Sequence, residues 1–245
     1  MKNIVFIVNI GGELERSKPY KYSVKSWAKW CEKNNCELVT LTERIYDKSI
    51  MNLNWHKIFV YDLLENEGID YDQILTVDAD TIVHPNAPNF FNLTEHKYCA
   101  VHNEGCYDWV CRSIENYKKH LFPSVTVPLY RYINSGFIIS NKTHKNFFEV
   151  LKKYYFNNSD SFIRMQETYH VGTDQPVINF LLNKEKIDYK ILPYEFNMQD
   201  LARKEILDND FTFTKLGWVY HFNAIPQQFP QTAYWMEKTY EKLYK

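Results

Sequence analysis

The 245-residue sequence is defined first by what it lacks. No apolar run approaches the roughly 20 residues of a membrane-spanning helix. The five cysteines include no C-x-x-C pair, and their odd number argues for a reducing compartment and against a disulfide framework. No sign of charge dominates: 29 basic and 30 acidic side chains leave a net charge of −1, so no global basic field points to nucleic acid. The absence of any G-x-G-x-x-G withholds support from a dinucleotide-binding fold. Near the start, the apolar run Ile4 to Ile10 is short and contains Asn9, which argues against a signal peptide and makes a cytoplasmic protein the expectation.

Aromatic residues are abundant instead, with 19 Tyr and 16 Phe. Their flat faces and polar tips suit stacking on sugars and bases, and equally a Tyr-rich core. Cys99, His102, Cys106 and Cys111 lie close enough in sequence to consider zinc, but ordinary buried thiols are the expectation. No repeat or linker divides the chain, so one α/β domain over residues 1–245 is expected.

The chain centres on Ile74 to Val83, ILTVDADTIV, an apolar run entering two carboxylates one residue apart. Such a run reads as a buried strand ending at Asp78 and Asp80. Side chains two apart in an extended segment point the same way, so both carboxylates face one point. Two hard oxygen ligands there suit Mg²⁺ or Mn²⁺, while solvated turn aspartates are the alternative.

Around that run the periodicity predicts strands at Asn3 to Ile10, Glu37 to Thr42, Tyr98 to Val101, Lys190 to Pro193 and Gly217 to Phe222. A further strand, Arg131 to Asn141, is interrupted by Asn134-Ser135-Gly136. Helices are expected from Ser17, over Trp55 to Glu67, Cys106 to His120 and Thr143 to Phe156, after Gly172, and over Thr232 to Lys245. Alternating strands and helices predict a mostly parallel sheet flanked by helices, with polar ligand groups beyond the carboxyl ends of the strands.

Four polar stations occupy such places: Asp78/Asp80, Asn134-Ser135-Gly136, Asp174-Gln175 and His221. Written as VDADTIV, INSGFIISN, GTDQPVIN and YHFNA, they resemble in order the motifs of GT-A glycosyltransferases. The resemblance is greatest to the family-8 group that includes glycogenin and bacterial lipooligosaccharide galactosyltransferases, and it runs from Ile4 to about Ala224.

The resemblance implies a single GT-A domain, with residues up to about 102 binding nucleotide and residues from about 103 on the acceptor side. It implies that Asp78, Asp80 and His221 hold Mn²⁺, with Mg²⁺ as the second choice, against the diphosphate of a nucleotide sugar, most simply a UDP-hexose. Asn9 and Tyr22 are then candidates for base and ribose, with helix-core packing the other role for Tyr22. Lys57 would lie near phosphate or sugar. Asn103, Asn134, Ser135, Gly136 and Asp174 would bind the donor sugar, and Gln175 would join Asp174 at the anomeric carbon.

The expected acceptor is a glycan, lipid-linked or protein-linked hydroxyl, and nucleic acid is not an expected partner. Lysines on the terminal helix suit either an anionic membrane surface or solvent beside a packed face. The family transfers with retention; an inverting enzyme would need a carboxylate base, for which Asp174 and Glu104 are available. Beyond His221 the chain departs from the family, which places a lysine there; here no lysine precedes Lys238, leaving Gln227, Gln228 or a lysine from elsewhere for the phosphates. Two other classes remain open. A haloacid-dehalogenase-type phosphohydrolase also begins from D-x-D, although its threonine falls where this chain has Ile82, with Thr81 one place early. A carbohydrate-binding domain without turnover would use the aromatics alone.

Overall fold

The computed structural model describes residues 2–11, 18–201, 210–223 and 229–245. Strand β1 (Lys2–Val8) shows why an unbroken apolar run becomes a central strand. Ile4 and Phe6 go to one hydrophobic cluster, and Val5 and Ile7 to another on the opposite face. Strand β3 (Tyr71–Val77) divides in the same way, Ile74 to the first cluster and Leu75 and Val77 to the second.

These two strands pair in parallel at the middle of a six-stranded sheet ordered β2-β1-β3-β6-β5-β7. The other members are β2 (Glu37–Leu41), β5 (Tyr98–His102), β6 (Ile133–Asn141) and β7 (Tyr189–Leu192). Only β6 runs against its neighbours, so the sheet is mostly parallel, as the pattern predicted. A separate antiparallel pair, β4 (Thr81–Val83) with β8 (Val219–His221), puts Thr81 opposite His221.

Helix α1 (Tyr20–Asn34) covers one face through Trp27, Trp30 and Cys31, with Trp30 stacked on Phe90 at 5.1 Å. The other face is covered by α2 (Val60–Asn66), α3 (Tyr107–His120), α4 (Lys145–Tyr169) and α5 (Asp174–Lys184). Complete burial of a side chain such as Trp27 or Phe137 contributes about 1.5–3 kcal/mol, and both faces of the sheet hold many. Helix α6 (Phe229–Tyr244) rests on α1 and β4. Its Tyr240 meets Tyr22 at 5.4 Å, and the Tyr244 hydroxyl donates to the Val83 carbonyl at 2.6 Å.

Several expected boundaries differ for physical reasons. The helix expected over Trp55 to Glu67 begins as a 3₁₀ turn at Leu53–Phe59 before becoming α2. Helix α4 does not stop at Phe156. It continues through the polar stretch Asn157 to Ser161 because Phe162 and Met165 are buried, Phe162 stacking on Trp55 at 5.4 Å. Tertiary burial there overrides weak local propensity. Asn134-Ser135-Gly136 does not end β6; it follows Ile133 at the strand's start, beyond the last pair with β3, Val77 opposite Phe137. The ladder to β5 does slip there, since Val101 faces Asn134 while Ala100 faces Ile138.

Cys99 is a buried thiol as expected, whereas Cys106 and Cys111 are exposed at the start of α3. Among the described residues, Cys99, His102, Cys106 and Cys111 form no metal-binding group. No helix among them is long and apolar enough to cross a membrane.

Candidate active site

The site forms where the end of β3 meets the β4–β8 pair. Asp78 leaves β3 with its backbone N–H donating to the Gly136 carbonyl at 3.0 Å. Two residues later the Asp80 carbonyl accepts from Phe222 N–H at 2.9 Å. The intervening turn is held by Thr81, whose hydroxyl donates to the Asp78 carbonyl (2.8 Å) and accepts from the Trp27 indole (3.0 Å). That fixed turn places Asp78, Asp80 and His221 with one ligand atom each inside a 4.8 Å span. His221 Nε2 lies 3.2 Å from Asp80 and 3.8 Å from Asp78 Oδ2. Burial disfavours the charged imidazole, but Asp80 foremost and Asp78 with it overrule burial and raise its pKa above the ordinary histidine value.

Two carboxylates and an imidazole suit a divalent cation, with Mn²⁺ better matched than Mg²⁺ by the nitrogen ligand. Lys57 occupies Oδ1 of Asp78 at 2.8 Å and leaves Oδ2 facing His221. Gly136 completes the corner, since a Cβ at that position would meet His221 Cε1 at 2.3 Å and Asp78 Oδ2 at 2.8 Å.

Lys57, on the turn before α2, is buried, and its ammonium also meets the Ser135 carbonyl (3.1 Å) and Asp174 Oδ2 (3.3 Å). Burial alone would lower its pKa; Asp78 and Asp174 reverse that and hold it above the ordinary lysine value. Asp174 is satisfied on both oxygens, Oδ1 by Asn54 and Oδ2 by the Ser135 hydroxyl at 2.9 Å.

Beyond this ionic corner lies a cluster of amides. Asn134 Oδ1 accepts from Gly136 N–H (2.8 Å) and Asn197 Nδ2 (3.0 Å). Gln175 Oε1 accepts from Ser135 N–H (3.1 Å), and Asn103 Nδ2 donates to the Gly105 carbonyl (2.8 Å). Those backbone partners fix which end of each amide is oxygen and which is nitrogen. Asn103 Oδ1 then accepts from both Asn134 Nδ2 (3.2 Å) and Gln175 Nε2 (3.1 Å). Asn103, Asn134 and Gln175 thus each have their amide oxygen engaged within one buried network.

A cleft of about 530 Å³ opens beside this corner of two carboxylates and an imidazole. Val8, Ile10, Tyr20 and Ala79 line one part of it, Asn52, Asn54 and Gln166 another, with Lys57, Asp78 and Asp80 between. Thus Asp78, Asp80, His221, Lys57, Asn103, Asn134, Ser135, Gly136, Asp174 and Gln175 are brought together. Of these, Lys57, Asp78 and Asp80 line the cleft and the others stand behind it, while Asn9 and Tyr22 belong neither to the lining nor to the network. Asn9 is flanked by the lining residues Val8 and Ile10 and pairs its N–H with Leu41. Tyr22 packs on Tyr240 and donates its hydroxyl to Glu237, the bond chiefly responsible for pushing its pKa up to about 12. Tyr20, two residues earlier, is the tyrosine at the cleft. Gln227 and Gln228 lie outside the described residues.

Asn197, Asn54 and Tyr20 had no mark in the sequence. For Asn54 and Tyr20 the available signal was position, each lying close to a residue already marked; Asn197 stands in the loop after β7 with no pattern around it.

No protein-family model matches this sequence, and no curated protein matches it either. Solved structures do. A glycosyltransferase involved in the glycosylation of the major capsid of PBCV-1 superposes with a TM-score of 0.63 at 11% identity, covering 97% of this chain and 100% of that one. The glycosyltransferase GlyE of Streptococcus pneumoniae TIGR4 gives 0.53 at 14% identity; the match covers 99% of this chain but 62% of GlyE. At such identities the likeness establishes architecture alone: this chain has the mixed α/β fold, with a mostly parallel sheet flanked by helices, of GT-A glycosyltransferase structures.

Proposed function

We propose that this protein is a metal-dependent glycosyltransferase of the family-8 kind, moving a hexose from a UDP-sugar to a glycan or other hydroxyl acceptor with retention. The observation that carries this reading is the convergence of Asp78, Asp80 and His221 inside 4.8 Å, beside a cleft, on a GT-A fold. Residues up to about 102 would bind the nucleotide and the remainder the acceptor side, within one domain.

Asp78, Asp80 and His221 would hold Mn²⁺, which when bound supplies positive charge against the diphosphate leaving group. Lys57 holds Asp78 in place and balances the charge of Asp174. Asn103, Asn134 and Gln175, held in fixed orientation by one another and by the backbone, would set the attitude of the donor sugar. Retention is supported by the state of the two carboxylates available as bases. Asp174 has both oxygens engaged, and Glu104 faces His102 Nδ1 at 2.9 Å.

Thermal stability with UDP, GDP, CMP and dTDP, each with and without Mn²⁺, tests the reading. A ligand at about 100 times its dissociation constant adds roughly 2.7 kcal/mol. UDP with Mn²⁺ should raise the midpoint, and neither alone should match it. If no nucleotide has an effect with metal, the transferase reading gives way to a carbohydrate-binding domain without turnover.

A further inference from the structure

One part of the cleft is left over once Asp78 and Asp80 are given to the metal and the apolar stretch Val8, Ile10, Tyr20 and Ala79 to the base. Asn52, Asn54, Gln166 and Thr173 line it, and all four side chains are polar and neutral. They come from three separate segments of the chain, tied together at Thr173.

At a helix N-cap a threonine oxygen ordinarily accepts a backbone N–H of the first turn. At the N-cap of α5 the Thr173 oxygen instead accepts Nδ2 of Asn54 at 3.1 Å and the indole Nε1 of Trp55 at 3.2 Å. Asn54 Nδ2 also donates to Asp174 Oδ1, a carboxylate oxygen that can only accept, and this fixes which end of the Asn54 amide is nitrogen. Trp55 stacks on Phe162 at 5.4 Å, and Gln166 follows Phe162 by one turn on the same side of α4. The continuation of α4 beyond Phe156 is therefore what carries Gln166 to the cleft.

These bonds decide what each group can still offer. The Thr173 oxygen has accepted twice and has a proton left to give. Asn54 has donated twice from its nitrogen and has an oxygen left to accept. A donor and an acceptor 3.1 Å apart suit a hydroxyl, which gives one hydrogen bond and takes another. They do not suit a phosphate, which only accepts, or an ammonium, which only donates.

We propose that Asn54, Thr173 and Gln166 form the acceptor subsite. A neutral sugar is held there by its hydroxyls, one of them donating to Asn54 Oδ1 and accepting from Thr173, with the exposed Gln166 amide reading another. The subsite deepens the transferase reading and rests on it.

The test is saturation-transfer NMR and calorimetric titration of the full chain with lactose, maltose and cellobiose to tens of millimolar, in the presence of UDP and Mn²⁺. At least one disaccharide should bind. Its affinity should fall about five-fold in Q166A and about tenfold in T173V, and return in T173S, which keeps the hydroxyl. Failure of all three disaccharides to bind, or unchanged affinity in either Q166A or T173V, overturns the subsite. Circular dichroism reports folding; Q166A alters an exposed side chain and decides the matter alone if T173V does not fold. The melting midpoint of the unaltered protein is measured with UDP and Mn²⁺ beside these titrations. A nucleotide response without sugar binding sinks the subsite alone, and absence of the nucleotide response sinks the transferase reading.

Discussion

At one end of the site Asp78, Asp80, Lys57 and His221 hold one another by charge; at the other Asn103, Asn134, Asn197 and Gln175 carry no charge at all. The ionic end is high in stakes, because each group is partly or wholly removed from water and depends on a partner of opposite sign. The amide end depends on direction instead, which the backbone at Ser135, Gly136 and Gly105 imposes. A nucleotide sugar has the same two halves, a charged diphosphate and a neutral ring, and the proposed function follows that division.

Four substitutions should separate the two ends. Lys57→Met removes the cation between Asp78 and Asp174 and should cost about 3 kcal/mol in urea unfolding, since two carboxylates lose their buried partner. His221→Ala should leave the fold in place and abolish the Mn²⁺-dependent part of UDP stabilisation, on the order of 2.7 kcal/mol under saturating conditions; full retention of that effect would remove the metal assignment. Gly136→Ala introduces a methyl group against His221 and Asp78, which should lower stability by about 1–3 kcal/mol and weaken Mn²⁺ binding in calorimetry. The smallest effect is expected of Asn197→Ala, about 1 kcal/mol in stability. UDP and Mn²⁺ should still stabilise it fully while sugar transfer falls about tenfold, because the amide cluster loses one of its holds and the ionic end loses none. If that variant loses nucleotide binding as well, the two ends are not separable.

The ionic end was largely legible in the sequence. A run of buried β residues entering D-x-D is a local pattern, and His221 ends a short strand of its own. The amide end was legible only in pieces. Asn134 and Gln175 stand at element starts and could be marked, whereas Asn197 lies in a loop and gains its role from a contact 63 positions away in the chain. Local spacing left Tyr22 between two roles; the ring packs against Tyr240 of α6, and Tyr20 is the tyrosine that lines the cleft. The length of α4 escaped for a related reason: Phe162 is helical because Trp55 is there to receive it, and no window of neighbouring residues contains Trp55.

The pairing of Thr81 with His221 also has a consequence for synthesis. Asp78 and Asp80 emerge from the ribosome about 140 residues before the histidine that completes their group, and at roughly 5–20 residues per second the delay is on the order of ten seconds. Under the proposed metal-binding role, the nascent chain carries only the aspartate pair during that interval, and the three-residue group is complete only once β8 pairs with β4.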